Sequence, residues 1–148
     1  MSGRARILVV HGPNLNLLGT REPDIYGHET LAEIDAGLLE LAGKLDCALE
    51  SFQSNHEGEI IDRIQQGMGN LEGILINPGG LTHSSVSLRD ALGATGLPVV
   101  EVHISNVFAR EPFRHHSFVS GIALGVISGL GARGYAVGLE ALVAHLRN

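Results

Sequence analysis

Short apolar runs alternate along the chain with longer segments in which apolar residues recur every three or four positions. Residues 7–10 read Ile-Leu-Val-Val, a continuous apolar run typical of a strand that is buried on both faces. Three further strands are predicted at residues 48–52, 73–76 and 98–104. The glycine-containing apolar stretch at residues 122–130 is ambiguous, and we expect a fifth strand near residues 125–129.

Helical periodicity fills the segments between these runs. The first such segment carries Leu31, Ile34 and Leu38 on one face. Helices are predicted at residues 29–45, 57–68, 82–94 and 134–146. Thr82 or Ser84 can cap the third helix. Five strand–helix units predict a flavodoxin-like, doubly wound α/β fold with a five-stranded parallel sheet of order 2-1-3-4-5, built as one domain over residues 1–148.

Polar residues follow the predicted strands where those strands end. Ligands of open α/β sheets bind beyond the carboxyl ends of the strands, near the point where the strand order reverses. The residues found there are His11, Asn14, Asn55, His56, Asn77, His83, Glu101 and His103. Turns favour asparagine, glycine and serine, which accounts for Asn55 without any function. It does not account for a histidine at three strand ends, so we predict a functional site at this edge.

The fourth strand ends in Glu101-Val102-His103-Ile104-Ser105. Residues two apart on a strand face the same way, so Glu101 can orient and charge the His103 imidazole. A histidine held in this way is a proton donor near neutral pH. A buried structural pair is the alternative. If a helical turn starts directly after this strand, the N–H groups of Ile104 and Ser105 form an anion site, whereas an ordinary serine cap would have no such role.

A polar segment at residues 18–28 follows the first strand and has a glycine near each end, Gly19 and Gly27. Long loops in this position often act as lids. A tyrosine such as Tyr26 is a poor base unless a cation stabilises its phenolate. Arg21 can supply that charge without accepting the proton itself. The pair therefore suits a base and its activator, and the alternative is a surface loop with an incidental aromatic residue.

Two arginines and two histidines follow the fourth strand. Arg110 and Arg114 share a face if this segment is helical, and they could hold an oxygen-rich ligand or a neighbouring subunit. The adjacent His115 and His116 lack the spacing and the partner ligands of a zinc site, so we expect neither a metal nor a cofactor.

Asp90 lies seven residues after His83, which is two turns along the same face of the predicted helix. It could be a surface carboxylate, or it could reach a hydroxyl at the site or across a subunit contact.

Charge and cysteine content narrow the classes of function. The formal net charge is −6 and the basic residues are scattered, which argues against nucleic-acid and anionic-membrane surfaces. No apolar run approaches the roughly 20 residues of a membrane span. The lone Cys47 lies in an apolar run, as expected of a core thiol in a reducing compartment. We therefore expect a cytoplasmic protein.

Four segments together resemble one enzyme family. HGPNLNLLGTREPDIYG, SNHEGEIID, INPGGLTHSSVSLRDAL and EVHISNVFAREPFRHHS are similar to the motifs of type II 3-dehydroquinate dehydratases, in the same order and over nearly the whole chain. The resemblance implies a single catalytic domain that removes water from 3-dehydroquinate to give 3-dehydroshikimate. The elimination would be anti, would pass through an enolate and would need no cofactor.

The resemblance also implies roles for individual residues. Tyr26 would take the C2 proton, Arg21 would stabilise the phenolate and the enolate, and His103 would protonate the departing C1 hydroxyl with Glu101 behind it. Asn14 would hold a water or the enolate oxygen. The substrate-binding residues implied are Asn77, His83, Asp90 from a neighbouring subunit, Ile104, Ser105 and Arg114.

The family forms dodecamers of four trimers, so a homo-oligomer is implied here as well. Gly80 and Leu81 stand where many members have Ala and Tyr, which would make that wall of the site smaller and less polar.

A flavodoxin-like binding protein is the main alternative, but it needs a phosphate loop rich in Ser and Thr after the first strand. A catalytically inactive assembly protein of the same fold is the other alternative, although every implied chemical group is present.

Lysine chemistry supplies an independent prediction. All the basic residues except Lys44 are arginines, and Lys44 lies at the end of an amphipathic helix, where it would be solvated. A solvated lysine is a poor Schiff-base nucleophile, so we expect a non-covalent route. Treating the protein with borohydride and 3-dehydroquinate should leave its mass unchanged. A stable adduct in the mass spectrum would contradict this route.

Overall fold

The computed structural model describes residues 4–148. Its strands are β1 (Ala5–His11), β2 (Cys47–Gln53), β3 (Gly73–Asn77), β4 (Val99–His103) and β5 (Gly125–Ser128). Its α-helices are α1 (Pro23–Tyr26), α2 (Leu31–Lys44), α3 (Glu57–Gln66), α4 (Val86–Thr95) and α5 (Arg133–Leu146). Short 3₁₀ turns lie at Leu15–Leu17, Gly79–His83, Val107–Ala109, Pro112–Arg114 and Ser120–Ile122.

The five strands form one parallel sheet in the order β2-β1-β3-β4-β5. The predicted flavodoxin-like fold and its strand order are therefore confirmed. The reversal of strand order lies between β1 and β3, where His11 pairs with Asn77 at the carboxyl ends. The fifth strand lies where the ambiguous stretch at residues 122–130 predicted it.

Helices cover both faces of the sheet. On one face, α2 and α5 pack over buried side chains that include Val9, Leu75 and Val102. On the other, α3 and α4 enclose a second buried cluster, which includes Leu8 and Ile76. Each such side chain contributes roughly 1.5–3 kcal/mol by burial. Cys47 is buried in the first cluster, as the sequence predicted.

No helix within residues 4–148 combines the length and the apolar character needed to cross a membrane.

The predicted helix at residues 82–94 is instead divided into two pieces. A 3₁₀ turn, Gly79–His83, precedes α4, and the cap of α4 is Ser85 rather than Thr82 or Ser84. The Ser85 hydroxyl accepts a hydrogen bond from the Leu88 N–H at 2.9 Å, which satisfies one free donor of the first turn. The prediction that His83 and Asp90 share one helix face is therefore wrong.

The segment between the first predicted strand and the first predicted helix contains more regular structure than an irregular loop. β1 extends through His11, and the loop includes the turn Leu15–Leu17 and the single helical turn of α1. Pro23 begins α1 because its fixed φ suits the first helical position. The turn places Tyr26 at its end, so the side chain is held by a short helix instead of an irregular loop.

Two loops cross in close contact at the carboxyl ends of β1 and β3. The Gly12 N–H donates to the Asn77 carbonyl oxygen at 2.8 Å. A Cβ at Gly12 would lie 2.2 Å from the Pro78 carbonyl oxygen, and one at Gly79 would lie 2.9 Å from the Pro13 carbonyl oxygen. Only residues without a Cβ allow this crossing.

Gly12→Ala should therefore lower the free energy of unfolding by about 3 kcal/mol, because backbone atoms must move to make room. Gly37→Ala is the matched control, since a Cβ at this position in α2 meets nothing within 4 Å. The control should be neutral or stabilise by up to about 1 kcal/mol. Urea unfolding measures both variants, and equal stabilities would contradict the close packing.

Candidate active site

A polar cavity of about 150 Å³ opens at the carboxyl edge of the sheet. Nine residues singled out from the sequence line it: Asn14, Arg21, Tyr26, Asn77, His83, His103, Ile104, Ser105 and Arg114. They come from the ends of three neighbouring strands and from the loops that follow those strands. Glu101 lies behind His103, and Asp90 is exposed on α4 and is not part of the cavity lining.

Two guanidinium groups lie over the ring of Tyr26. The guanidinium carbon of Arg21 is 4.9 Å from the ring centroid, and that of Arg110 is 5.2 Å from it. All three side chains are partly buried and border the cavity. Because a guanidinium keeps its proton, both groups place a permanent positive charge beside the Tyr26 ring.

Glu101 and His103 form a buried hydrogen-bonded pair on β4. The Glu101 carboxylate contacts the Nε2 of His103 and also accepts hydrogen bonds from Ser120 at 2.7 Å and from Ser117 at 3.0 Å. Burial raises the pKa of Glu101, but the proton and charge of His103 and the two hydroxyl groups outweigh burial, so the pKa lies below its ordinary value. Glu101 therefore remains ionised and can stabilise a positive charge on His103.

His83 stacks on His103, with ring centroids 6.4 Å apart and ring planes 21° apart. Its Nδ1 lies 2.8 Å from the carbonyl oxygen of His116, so Nδ1 carries the proton and donates it. Burial lowers the pKa of His83, and the charges of His103 and Arg114 add to this effect. A neutral His83 with a protonated Nδ1 leaves Nε2 as a hydrogen-bond acceptor.

The backbone after β4 offers two free donors. Within residues 4–148, the N–H groups of Ile104 and Ser105 donate to no protein acceptor, and both residues line the cavity. The first helical turn after the strand begins only at Val107, where the Asn106 side chain accepts a hydrogen bond from the Phe108 N–H. The two N–H groups therefore remain candidates for an anion site, but they are not the first turn of a helix.

Asn14 is held in the left-handed region of backbone conformation, with a φ of 70°. Its N–H donates to the side-chain oxygen of Asn55 at 2.9 Å. Gln53 donates to the same oxygen at 3.2 Å and so orients it. Asn55, which turn preference alone could explain, thus holds the backbone of a cavity residue.

The histidines that follow strands 1 and 2 do not join the cavity. The His11 ring is fully buried between Asp35 and Tyr135. His56 is exposed at the start of α3. The prediction that the histidines at the strand ends form one site is therefore correct only for His83 and His103.

Arg110 and Arg114 do not share a helix, contrary to one reading of the sequence. Arg110 follows one 3₁₀ turn and Arg114 ends the next, yet both border the cavity. Arg114 is partly held by Glu111, with its Nε 3.0 Å from a carboxylate oxygen. His115 contacts the Arg110 carbonyl oxygen through Nε2, and His116 packs edge-on against Phe118.

Comparison with known proteins identifies the family. The family model "Dehydroquinase class II" matches residues 5–143. A protein from Acaryochloris marina named 3-dehydroquinate dehydratase is 57% identical over 144 residues, which are 97% of each chain. The chain belongs to the class II dehydroquinases. A catabolic 3-dehydroquinase 1 from Aspergillus fumigatus is 59% identical over 134 residues, 90% of this chain and 89% of that protein.

A solved structure supports the same family assignment. The type II dehydroquinase from Propionibacterium acnes superposes with a TM-score of 0.91 at 41% identity, covering 97% of this chain and 99% of that chain.

The departures from the dehydroquinase pattern occupy different positions. Gly80 lines the cavity, as its place in the motif implied. Leu81 packs against the second apolar cluster and is not part of the cavity lining. The expectation that Leu81 forms a wall of the site is therefore wrong, because the 3₁₀ turn directs this side chain into the core.

Lys44 lies far from dehydroquinase chemistry, at the end of α2. Its side chain is 71% exposed, and its ammonium nitrogen is 3.7 Å from a carboxylate oxygen of Glu40 one turn earlier. The expectation of a solvated lysine is confirmed.

Sequence reasoning missed two residues of this site, Ser117 and Ser120, and one contact of Arg110. Arg110 was considered only as a clamp, yet it lies over Tyr26. Ser117 and Ser120 bind Glu101, and they lie in a segment without periodicity. The one sequence signal for the two serines was that a buried carboxylate such as Glu101 needs hydroxyl or N–H groups as hydrogen-bond donors.

The stability lost on replacing Glu101 should depend on pH in a defined direction. Since the pKa of Glu101 is lowered in the folded protein, its stabilising contribution is complete above its ordinary value of 4.5 and is lost as pH falls through the folded value. Glu101→Gln should lower the unfolding free energy at pH 7 by about 2 kcal/mol, because neutral hydrogen bonds replace charge-assisted ones.

Urea unfolding from pH 7 to pH 3 measures this difference, which should shrink below pH 4.5. Glu140→Gln, on the exposed face of α5, is the control and should change stability by less than about 0.5 kcal/mol. A difference for Glu101→Gln that grew towards acid pH would contradict the assignment.

Proposed function

We propose that this protein dehydrates 3-dehydroquinate to 3-dehydroshikimate by an anti elimination through an enolate. Membership of the class II dehydroquinases and relatives named 3-dehydroquinate dehydratase support the reaction. The single structural observation that supports the mechanism is the pair of guanidinium groups over Tyr26, in a cavity that also contains His103.

Tyr26 acts as the base in the first step. Its phenolate takes the proton from C2 of the substrate, and the electrons of the C–H bond move into an enolate. Arg21 and Arg110 stabilise the phenolate before transfer, and neither competes as a base because a guanidinium keeps its proton. Asn14 holds the enolate oxygen, directly or through a water, as a small oxyanion site.

His103 acts as the acid in the second step. The C1–O bond breaks while the imidazolium donates its proton to the departing hydroxyl, which leaves as water. The enolate electrons form the new carbon–carbon double bond, so the carbonyl is restored and conjugated. Glu101 stabilises the imidazolium before transfer and orients its ring through Nε2, which leaves Nδ1 as the donor.

The remaining cavity residues bind the substrate. The free N–H groups of Ile104 and Ser105 receive its carboxylate. Asn77, His83 and Arg114 bind the ring hydroxyls. A neutral His83 accepts a hydrogen bond from a hydroxyl group through Nε2, whereas Arg114 can only donate hydrogen bonds.

We propose a non-covalent route without any cofactor. A Schiff base requires an unprotonated amine near the substrate carbonyl, and the cavity lining contains no lysine among the described residues. The exposure of Lys44 supports the same conclusion.

Residues 1–148 would act as a single catalytic domain that assembles into a dodecamer, a tetramer of trimers. A second cleft, of about 490 Å³, borders Tyr26, Ser105 and Arg110, and it leaves room for a residue of a neighbouring subunit. Asp90 is exposed on α4 and is the residue that we propose enters there. Static light scattering tests the assembly, and a monomer would contradict it.

We propose the cytoplasm as the location of the enzyme. The buried free thiol of Cys47 suits a reducing compartment.

The reaction is tested by ultraviolet absorbance, because the product is a conjugated enone and the substrate is not. Mixing the protein with 3-dehydroquinate should produce this absorbance. Tyr26→Phe should lower kcat by at least about 10³-fold while KM changes little, because the phenolate acts only on the reacting proton.

Val137→Ala, a change on the exposed face of α5, is the control and should retain wild-type kcat. A folded wild-type protein without enone formation would contradict the function. A Tyr26→Phe variant with substantial kcat would remove Tyr26 from the role of base.

A further inference from the structure

A chain of hydrogen-bonded polar groups runs beneath the cavity, and the proposed reaction uses only one of its four residues, Asn77. His11, at the end of β1, is fully buried, and its Nε2 lies 2.8 Å from an oxygen of Asp35 on α2. Its Nδ1 lies 3.0 Å from the hydroxyl of Tyr135 on α5. The same hydroxyl lies 3.0 Å from Nδ2 of Asn77, which lines the cavity. We call these four residues the buried relay.

The hydrogen bonds of the buried relay have one consistent direction. Asn77 Nδ2 can only donate, so the Tyr135 oxygen accepts from it. The Asp35 carboxylate can only accept, so His11 carries its proton on Nε2 and donates it. A second proton on Nδ1 would leave the buried Tyr135 hydroxyl without an acceptor among the described residues, so the His11 Nδ1 accepts a hydrogen bond from that hydroxyl. Burial raises the pKa of Tyr135 far above its ordinary value, which keeps that hydroxyl protonated.

This direction determines how the Asn77 amide faces the cavity. Its Oδ1 accepts the Gly79 N–H at 3.2 Å, and one N–H of Nδ2 is bound to Tyr135. The second N–H of Nδ2 is not engaged by any residue of the described chain. A rotated amide would set its oxygen against the Tyr135 oxygen, whose proton is already donated to His11. The rotated state therefore has two acceptors in contact and is unfavourable.

We infer that Asp35, His11 and Tyr135 are positioning residues that fix Asn77 as a hydrogen-bond donor to a substrate hydroxyl. The inference rests on the proposed function, in which Asn77 binds a ring hydroxyl. The relay places its outer end on Asp35, whose side chain is 28% exposed, and its inner end in the cavity. A purely structural pair would need only the His11–Asp35 contact and would not require the Tyr135 hydroxyl.

Kinetics of Tyr135→Phe test this role. The variant retains the ring and removes the hydroxyl, so Asn77 loses the contact that orients it. KM for 3-dehydroquinate should rise about tenfold and kcat should change less than about twofold, because a hydroxyl contact acts equally in the ground state and the transition state. Unchanged KM in the folded variant would overturn the inference.

Two substitutions at Asp35 test the outer end of the relay and avoid the risk that Tyr135→Phe does not fold. Asp35→Asn keeps an oxygen that accepts from His11 Nε2–H, so KM should stay within about twofold of wild type. Asp35→Ala removes the acceptor, so KM should rise about fivefold. Equal KM values for the two variants would overturn the relay. If Asp35 acted through its charge, both variants would raise KM, and if its carboxylate had no role, neither would.

The protonation of His11 is measured separately from catalysis. A long-range ¹H–¹⁵N correlation spectrum at pH 7 should show the His11 ring protonated at Nε2 and unprotonated at Nδ1. A proton on Nδ1 would overturn the direction of the relay whether or not the protein is active. Loss of enone formation in the wild type, with the expected His11 spectrum, would instead count against the proposed function alone.

Discussion

The parallel register of β1, β3 and β4 is the constraint on which the rest of the site depends. His11 pairs with Asn77, and Ile76 pairs with Glu101, so these three strands end at nearly the same level. Parallel strands that end together place the residues after them at one edge of the sheet. The loops that contain Gly12 and Gly79 cross directly after these strands, where neither glycine has room for a Cβ, and Gly79 lines the cavity.

Charge is arranged differently on the two sides of the cavity. On the side of α1, two guanidinium groups face the Tyr26 ring. On the side of β4, an ionised Glu101 stands behind His103. Positive charge beside Tyr26 suits a base, and negative charge beside His103 suits an acid. An elimination needs a base and an acid at separate positions.

The sequence predicts the strands and their order well because each strand is a short apolar run between glycine- and asparagine-rich turns. It also places His103 and Glu101 correctly, since a period of two puts them on one face of β4. It does not predict the split before α4. There, the Pro78 and Gly79 turn packs against the first loop, and this packing outweighs local helical periodicity.

The partners of the site residues are the part that sequence cannot supply. Ser117 and Ser120 reach Glu101 from a segment without periodicity, and Arg110 reaches Tyr26 across two loops that are distant in sequence. His11 shows the converse, because a histidine at a strand end is here a buried group that contacts Tyr135. These placements follow from tertiary packing, which a pattern along the chain does not encode.

The division of the reaction between Tyr26 and His103 is the central claim. Incubation in deuterium oxide tests it most directly, with exchange at C2 of 3-dehydroquinate followed by NMR. His103→Ala should exchange the C2 proton for deuterium while forming almost no enone, because the base remains and the acid is lost. Tyr26→Phe should do neither. Rapid exchange in Tyr26→Phe, or an absence of exchange in a folded His103→Ala variant, would contradict the account.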